Sequence, residues 1–180
     1  MVKLVDPTAA VHSSFLAALE EFRPEKQWPY STLDAAALKN PAVFDAYVQS
    51  AYSDRLADAV GREGYVPAVH LWFIEEEEFL GRLSVRLKAT EEVEFEHGHI
   101  GYNVRPSARR QGFATEMLKQ ALPVARWYGL ASVRITCDAN NIASQRVIKS
   151  NGGRPETHRD GMLAYRIYLA GELSIPTKML

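Results

Sequence analysis

The strongest constraint on the fold is a change of period near residue 66. "VPAVHLWFI" (66–74) and "EFLGRLSVRL" (78–87) are strand-like apolar runs joined by an acidic connection, which is the pattern of a hairpin. The connecting glutamates, Glu75 to Glu78, read as a solvated turn without a function. "HGHIGYNV" (97–104) follows as another strand after the acidic loop "KATEEVEFE". Helical spacing then runs from about Gly112 to Tyr128, followed by a strand "SVRITCD", a helix "NIASQRVIKSN" and a last strand pair around 154–169. Strands leading into alternating helix and strand define an α/β domain.

The preceding residues supply two more helices. "KLVD" is a short strand, and Asp6, Pro7 and Thr8 offer capping chemistry before the helical spacing of "AAVHSSFLAALEEF". "RPEKQWPYSTLD" (23–34) has two prolines and reads as a surface loop, beside the ligand site or over the surface. Residues 41–60 return to helical spacing, with Pro41 acceptable in the first turn. Pro123 falls inside the third helix, where a proline costs about 3 kcal/mol and predicts a kink. With 180 residues and no repeat or linker, the chain is expected to be one domain, 1–180, with its best-supported core at 66–170.

Composition narrows the function classes. At 47% hydrophobic and 24% charged the chain is of the soluble globular kind, and a net charge of -1 argues against broad nucleic-acid binding. Cys137 is the single cysteine, so no internal disulfide and no metal-ligand spacing is available, and a reducing cytosol suits it. The opening "MVKLVDPTAAVHSSF" has no apolar run long enough for a signal peptide or a membrane span. The expectations are therefore a cytoplasmic location, no metal, no nucleic acid and no membrane.

"RPSARRQGFATEM" (105–117) carries the sharpest functional signal. A helix starting at Gly112 presents backbone N–H groups without intrahelical acceptors, and its dipole places partial positive charge there. Arg109, Arg110 and Gln111 add donors, and Gly112 lets a ligand approach the backbone. The stretch lacks both the Lys-Ser/Thr ending of the Walker loop and the three spaced glycines of a dinucleotide fold. A diphosphate or an ordinary turn are the two readings.

Arg109-x-x-Gly112-x-Ala114 resembles the R/Q-x-x-G-x-G/A signature of the GNAT superfamily of acetyl-CoA-dependent N-acetyltransferases, and "HIGYNVRP" before it is similar to the strand this family places there. Downstream, "ITCDANNIASQRVIKSNGG" resembles the family's fifth strand and following helix. The resemblance implies a single GNAT domain, a mixed central β-sheet with helices on both faces and two strands splayed at the cofactor site, near Val104 and Cys137. It implies that amides from Arg110 through Gln111, Gly112, Phe113 and Ala114 to Thr115 bind the diphosphate of coenzyme A. Arg109 and Arg110 would add charge. The pantetheine arm would run along Asn103, Val104 and Arg105, with Asn141 and Ser144 touching the cofactor from the next helix. Asn141 also reads as a helix cap, Arg105 as half of a surface ion pair and Ser144 as a solvent-facing helix residue.

Acetyl transfer to an amine needs a neutral nucleophile, stabilisation of charge on the thioester oxygen, and release of the thiolate. The resemblance implies direct attack in a ternary complex, so Cys137 reads as packing in its strand. The backbone N–H of Val104 is the expected oxyanion donor. His97 and His99 fall on one face of the predicted strand, with Glu94 and Glu96 nearby, and the base candidates are His99 first and Glu96, through water, second. Both His99 and Glu96 also have ordinary structural or solvated readings.

The family's general-acid tyrosine aligns with Ile148, which has no proton to give. Either Tyr102 or another group substitutes, or the thiolate leaves without a dedicated acid; the alternative is a silent coenzyme A-binding sensor. The loop around Trp28 and Tyr30 is expected to shape the acceptor pocket. The acceptor could be a polyamine-like molecule, an amino acid, an antibiotic or a protein N-terminus, and an exposed last strand could pair two copies as a homodimer.

Overall fold

A short strand, β1 (Lys3–Val5), leads through a single 3-10 turn into helix α1 (His12–Phe22) and then helix α2 (Pro41–Ser53). The computed structural model describes residues 1–25, 32–56, 66–88, 90–91, 93–156 and 161–169, so the loop with Trp28 and Tyr30 lies outside the described residues. Thr8 accepts a hydrogen bond from the Ala10 N–H, and Asn40 caps α2 by accepting from the Ala42 N–H at 3.0 Å with Pro41 in the first turn. The second helix stops at Ser53, short of the expected residue 60.

Next come β2 (Ala68–Glu75), β3 (Glu78–Arg86) and β4 (Ile100–Val104), then α3 (Phe113–Trp127), β5 (Ser132–Asp138), α4 (Ile142–Ser150), β6 (Arg154–Glu156) and β7 (Met162–Tyr168). The strands form two antiparallel sheets, β1-β2-β3-β4 and β5-β7-β6. The expected central sheet is thus divided, and its seam lies between β4 and β5.

Alternation along β2 explains why helices cover both faces. Val69, Leu71 and Phe73 join one core with Met117, Leu118 and Ala121 of α3, whereas Trp72 and Ile74 join a second core with α1 and α2. In that second core Phe15 stacks on Trp72 at 4.9 Å and meets Phe79 edge-on at 5.0 Å. Between Phe73 and Ile74 the register slips, because Phe73 faces Gly81 while Ile74 faces Phe79. Leu80 is the extra residue of this bulge.

The predicted kink gives way to a helix that runs unbroken across Pro123. Met117, Leu118 and Val124 are all buried on its inner face, and three such side chains at about 1.5–3 kcal/mol each outweigh the roughly 3 kcal/mol penalty of the proline.

The strand expected at 97–104 is also corrected. Val93–His97 forms one π-helical turn, and β4 begins only at Ile100. Gly98 ends that turn at φ 69°, its N–H donating to the Val93 carbonyl at 2.9 Å. A Cβ there would stand 2.7 Å from the Arg134 carbonyl oxygen, so only glycine lets the chain press against β5. His97 and His99 therefore do not share a strand face.

An ionic cluster braces this seam. Arg166 reaches Glu94 at 2.7 Å and Glu156 at 2.5 Å, and Arg134 reaches Glu156 at 3.0 Å while donating to the Glu94 carbonyl. The two carboxylates hold the Arg166 guanidinium even more firmly charged than usual.

Candidate active site: a cleft between splayed strands

At the base of the seam the His99 N–H donates to the Arg134 carbonyl at 2.6 Å, and the Arg134 N–H donates to His99 Nδ1 at 3.1 Å. Above it a cleft of about 730 Å³ opens, walled by residues 100–104 of β4 and 135–138 of β5. That pairing of walls means both strands leave the contact in the same direction, and among the described residues no ladder joins them. The mouth is closed by the start of α3 and by Asn141 and Ser144 at the start of α4.

Backbone geometry settles where Val104 points its groups. The Arg105 N–H donates to the Leu80 carbonyl at 2.8 Å, toward β3, so the Val104 carbonyl in the same peptide unit faces the opposite way. In an extended strand a residue's N–H and C=O share an edge, which turns the Val104 N–H toward the cleft as well. Its carbonyl accepts from Arg109 Nε at 3.1 Å.

The turn into α3 has the form expected of an anion cradle. Arg110 at φ 62° and Gly112 at φ 81° are both left-handed, and the first intrahelical bond runs from the Glu116 N–H to the Gly112 carbonyl. The N–H groups of Phe113, Ala114 and Thr115 thus have no intrahelical acceptor. No Cβ added at Gly112 would meet an atom within 4 Å, so the cradle is open. Such a mouth, with amides, the helix dipole and the Arg110 cation around it, fits a diphosphate.

The predicted site residues divide clearly. Asn103, Val104, Arg109, Arg110, Gly112, Phe113, Ala114, Thr115, Asn141 and Ser144 all line the cleft, as does Tyr102. Gln111 is exposed and lies outside the lining. Arg105 is turned away: its guanidinium meets Glu21 at 2.7 Å, Glu78 at 3.2 Å and the Ser14 hydroxyl at 3.0 Å, because strand alternation sends it to the α1 face. Arg109 is partly committed to Glu25, at 2.6 Å. Asn141 lines the cleft and also caps α4, accepting from the Ser144 N–H at 3.0 Å.

His99 is not brought to the cleft. It is 1% exposed, and since Nδ1 accepts from Arg134, the proton sits on Nε2, 3.6 Å from Glu94. Burial pushes this imidazole below its usual range, against the pull of Glu94. The Glu96 side chain lies outside the described residues, and its backbone belongs to the π-helical turn.

Tyr102 crosses the cleft. Its hydroxyl lies 2.7 Å from Ser144 Oγ, and burial pushes the phenol up to about 12 against the opposing hydrogen bond from Ser144. Cys137 lines the facing wall, on β5, with its thiol pushed up by burial, the reverse of what an acyl-accepting nucleophile needs. Ile148 is fully buried in the core with α3 and does not line the cleft.

Sequence reasoning missed the Arg134, Arg166, Glu94 and Glu156 cluster and a second cavity beside Tyr47, His70 and Arg82. The one available signal was charge inside strand patterns: Arg134 within "SVRITCD" and Arg82 within "EFLGRLSVRL". Among the described residues, no group of three His, Cys, Asp or Glu side chains is placed to hold a metal ion, and no helix is long and apolar enough to cross a membrane.

Residues 15–154 match the acetyltransferase (GNAT) domain family, and the chain belongs to it. It is therefore an acetyltransferase of the GNAT class. No curated protein matches it significantly in sequence. Among solved structures it is similar in fold to RimL, a ribosomal-protein alpha-N-acetyltransferase in complex with coenzyme A, with 17% identity, TM-score 0.65, and 93% and 94% of the two chains covered. RimJ of Mycobacterium smegmatis, in complex with a coenzyme A disulfide, gives 18% identity and TM-score 0.65 over 93% of this chain and 81% of that one. The Microcin self-immunity acetyltransferase MccE, in complex with acetyl-CoA and AMP, gives 13% identity and TM-score 0.61 over 93% and 92%.

Proposed function

We propose that the chain transfers an acetyl group from acetyl-CoA to a primary amine by direct attack in a ternary complex. The observation that carries this reading is the left-handed turn at Arg110 and Gly112, opening its amides onto a cleft into which β4 directs the Val104 N–H. Acetyl-CoA supplies an activated acyl carbon whose thiol can leave. Around it, the amides of residues 110–115 and the Arg110 cation hold the diphosphate, and the pantetheine arm runs along Asn103 and Val104, with the Val104 backbone facing it. Arg109, tied to Glu25, fixes the Val104 carbonyl and so orients the peptide beside it.

The Val104 N–H donates to the thioester oxygen as that oxygen gains charge, a fixed donor of the kind whose loss costs about 10²–10³ in rate. Tyr102 keeps its proton at neutral pH and hands a hydrogen bond or proton to the departing sulfur, in place of the tyrosine missing at Ile148. His99 holds the seam rather than the amine's proton. Glu96, on the turn that meets the seam, is the proposed base through a water. The ribosomal-protein acceptors in the names of RimL, an alpha-N-acetyltransferase, and of a ribosomal-protein-serine acetyltransferase from Vibrio cholerae make a peptide amine the first class to try.

The test is calorimetry with acetyl-CoA, followed by free-thiol detection across N-terminal peptides, polyamines and amino acids. Saturable binding with thiol release and intersecting double-reciprocal lines is the expected result. Binding with no thiol release for any amine would return the chain to the sensor reading, and parallel lines would point to an acyl-enzyme.

A further inference from the structure

A second cavity, of about 200 Å³, lies under α2 on the sheet face that α3 does not cover. Its polar walls are Tyr47, Ser50 and Asp54 on the helix side and His70 and Arg82 on the sheet side. Nothing in the acetyl-transfer chemistry above uses these residues.

Strand register ties the cavity to the cleft. Trp72, Arg82 and Asn103 stand directly opposite one another across β2, β3 and β4, and opposed residues share a sheet face. Asn103 also lines the cofactor cleft. Neighbouring strands are about 4.8 Å apart, so the cavity lies roughly 5–10 Å from the strand whose other edge faces the acyl group. That distance is the reach of two or three extended residues at about 3.3 Å each.

Of the polar side chains in the walls, all but the Asp54 carboxylate can donate hydrogen bonds. His70 Nε2 lies 3.1 Å from Asp54 Oδ2, and burial lowers the imidazole below its usual range, so a neutral ring donates to that carboxylate. Burial likewise raises the Tyr47 phenol, which stays an O–H donor. Arg82 brings a planar fork of five donors, enough to keep a protein partner and still take a carboxylate side-on. Leu33, Ala51 and Trp72 complete an apolar lining that strengthens such a charged hydrogen bond.

We propose that this cavity anchors a carboxylate of the acceptor, with Arg82 as its principal ligand and Tyr47 as a second donor. The acceptor class is then an amine bearing an acidic group about 5–10 Å away, either a peptide with an acidic second or third residue or a small amino acid of that span. This inference rests on the acetyl-transfer reading of the cleft.

The experiment compares matched acceptors: Ala-Glu-Ala amide against Ala-Gln-Ala amide, and ε-aminocaproate against its amide. Initial rates are read by thiol release, and equilibrium binding to the coenzyme A-loaded protein is measured in parallel, so an acceptor that binds without turnover still reports. The acid form of at least one pair is expected to win by about tenfold, carried in KM, and the winning pair identifies the source. Arg82→Gln should make the two forms equal, and Arg82→Lys, which keeps charge without the fork, should retain part of the preference. Equal treatment of acid and amide by the unmodified protein, or a preference that survives Arg82→Gln, overturns the proposal. Failure to bind acetyl-CoA at all would instead overturn the reading of the cleft.

Discussion

The Tyr102 hydroxyl lies 2.7 Å from Ser144 Oγ, linking the strand on one wall of the cleft to the helix on the other. A phenol pushed up to about 12 stays protonated throughout the range in which an amine is deprotonated near pH 10. Tyr102→Phe is expected to cut turnover by about 10²-fold with little change in acetyl-CoA affinity. Steady-state kinetics beside calorimetry checks it, and full turnover in the variant removes Tyr102 from the chemistry.

Gly112 and Gly81 should respond differently to alanine. At Gly112 the added methyl meets nothing within 4 Å, but φ 81° costs an L-residue about 1–2 kcal/mol. Gly112→Ala is therefore expected to fold and to bind acetyl-CoA about tenfold more weakly as the turn relaxes. At Gly81 the methyl would stand 2.5 Å from the Asn103 carbonyl oxygen, so Gly81→Ala should forfeit thermal stability first. Melting curves and binding isotherms separate the two; an unchanged isotherm for Gly112→Ala would contradict the cradle.

Restoring the family's tyrosine at position 148 should fail. Ile148 is fully buried, and the Cβ that Gly153 lacks would have stood 2.4 Å from Ile148 Cγ2, so the site has no slack. Ile148→Tyr is expected to lose about 1–3 kcal/mol by overpacking and to gain no activity. Urea unfolding and turnover of the double variant with Tyr102→Phe read both effects; recovered turnover would mean position 148 does reach the sulfur.

Acidification should destabilise the fold in two stages. Burial lowers His70 and His99 below 6.5, so as pH falls through 6.5 the unfolded chain binds protons first and stability declines until the folded values are passed. Glu21 and Glu156 act later. Burial would raise both, but hydrogen bonds from Ser107 and Arg105 on one, and from Arg166 and Arg134 on the other, hold them below 4.5. Their stabilisation is complete above 4.5 and is lost as pH falls through the lowered folded values. Urea midpoints at about pH 7.5, about 5.5 and about 4 test the order, and a flat profile between the first two would contradict the neutral, buried histidines.

The sequence was readable wherever local chemistry decides the backbone. The hairpin, the strand at 132–138 and the helix starting after Gly112 follow from period and from glycine, and the residues from Arg109 to Thr115, apart from the outward Gln111, line the cleft. It failed where contacts distant in sequence decide. Gly98 lies against Arg134, thirty-six positions on, and that contact turns an apparent strand into a π-helical turn and takes His99 out of reach of the cleft. Arg105 looked like a cofactor ligand because of its neighbours in sequence, but its partners are Ser14, Glu21 and Glu78. Pro123 was read by its local cost, which the packing of the α3 face overrides.

Glu21 grips two successive parts of the chain, the Arg105 guanidinium with one carboxylate oxygen and the Ser107 N–H, at 2.9 Å, with the other. The first helix and the approach to the cofactor turn are thereby bolted together as one lever. With the nucleotide held at that turn as proposed, a load on the first helix is expected to reach it through Glu21, so a change made for the acceptor is expected to be felt in cofactor affinity.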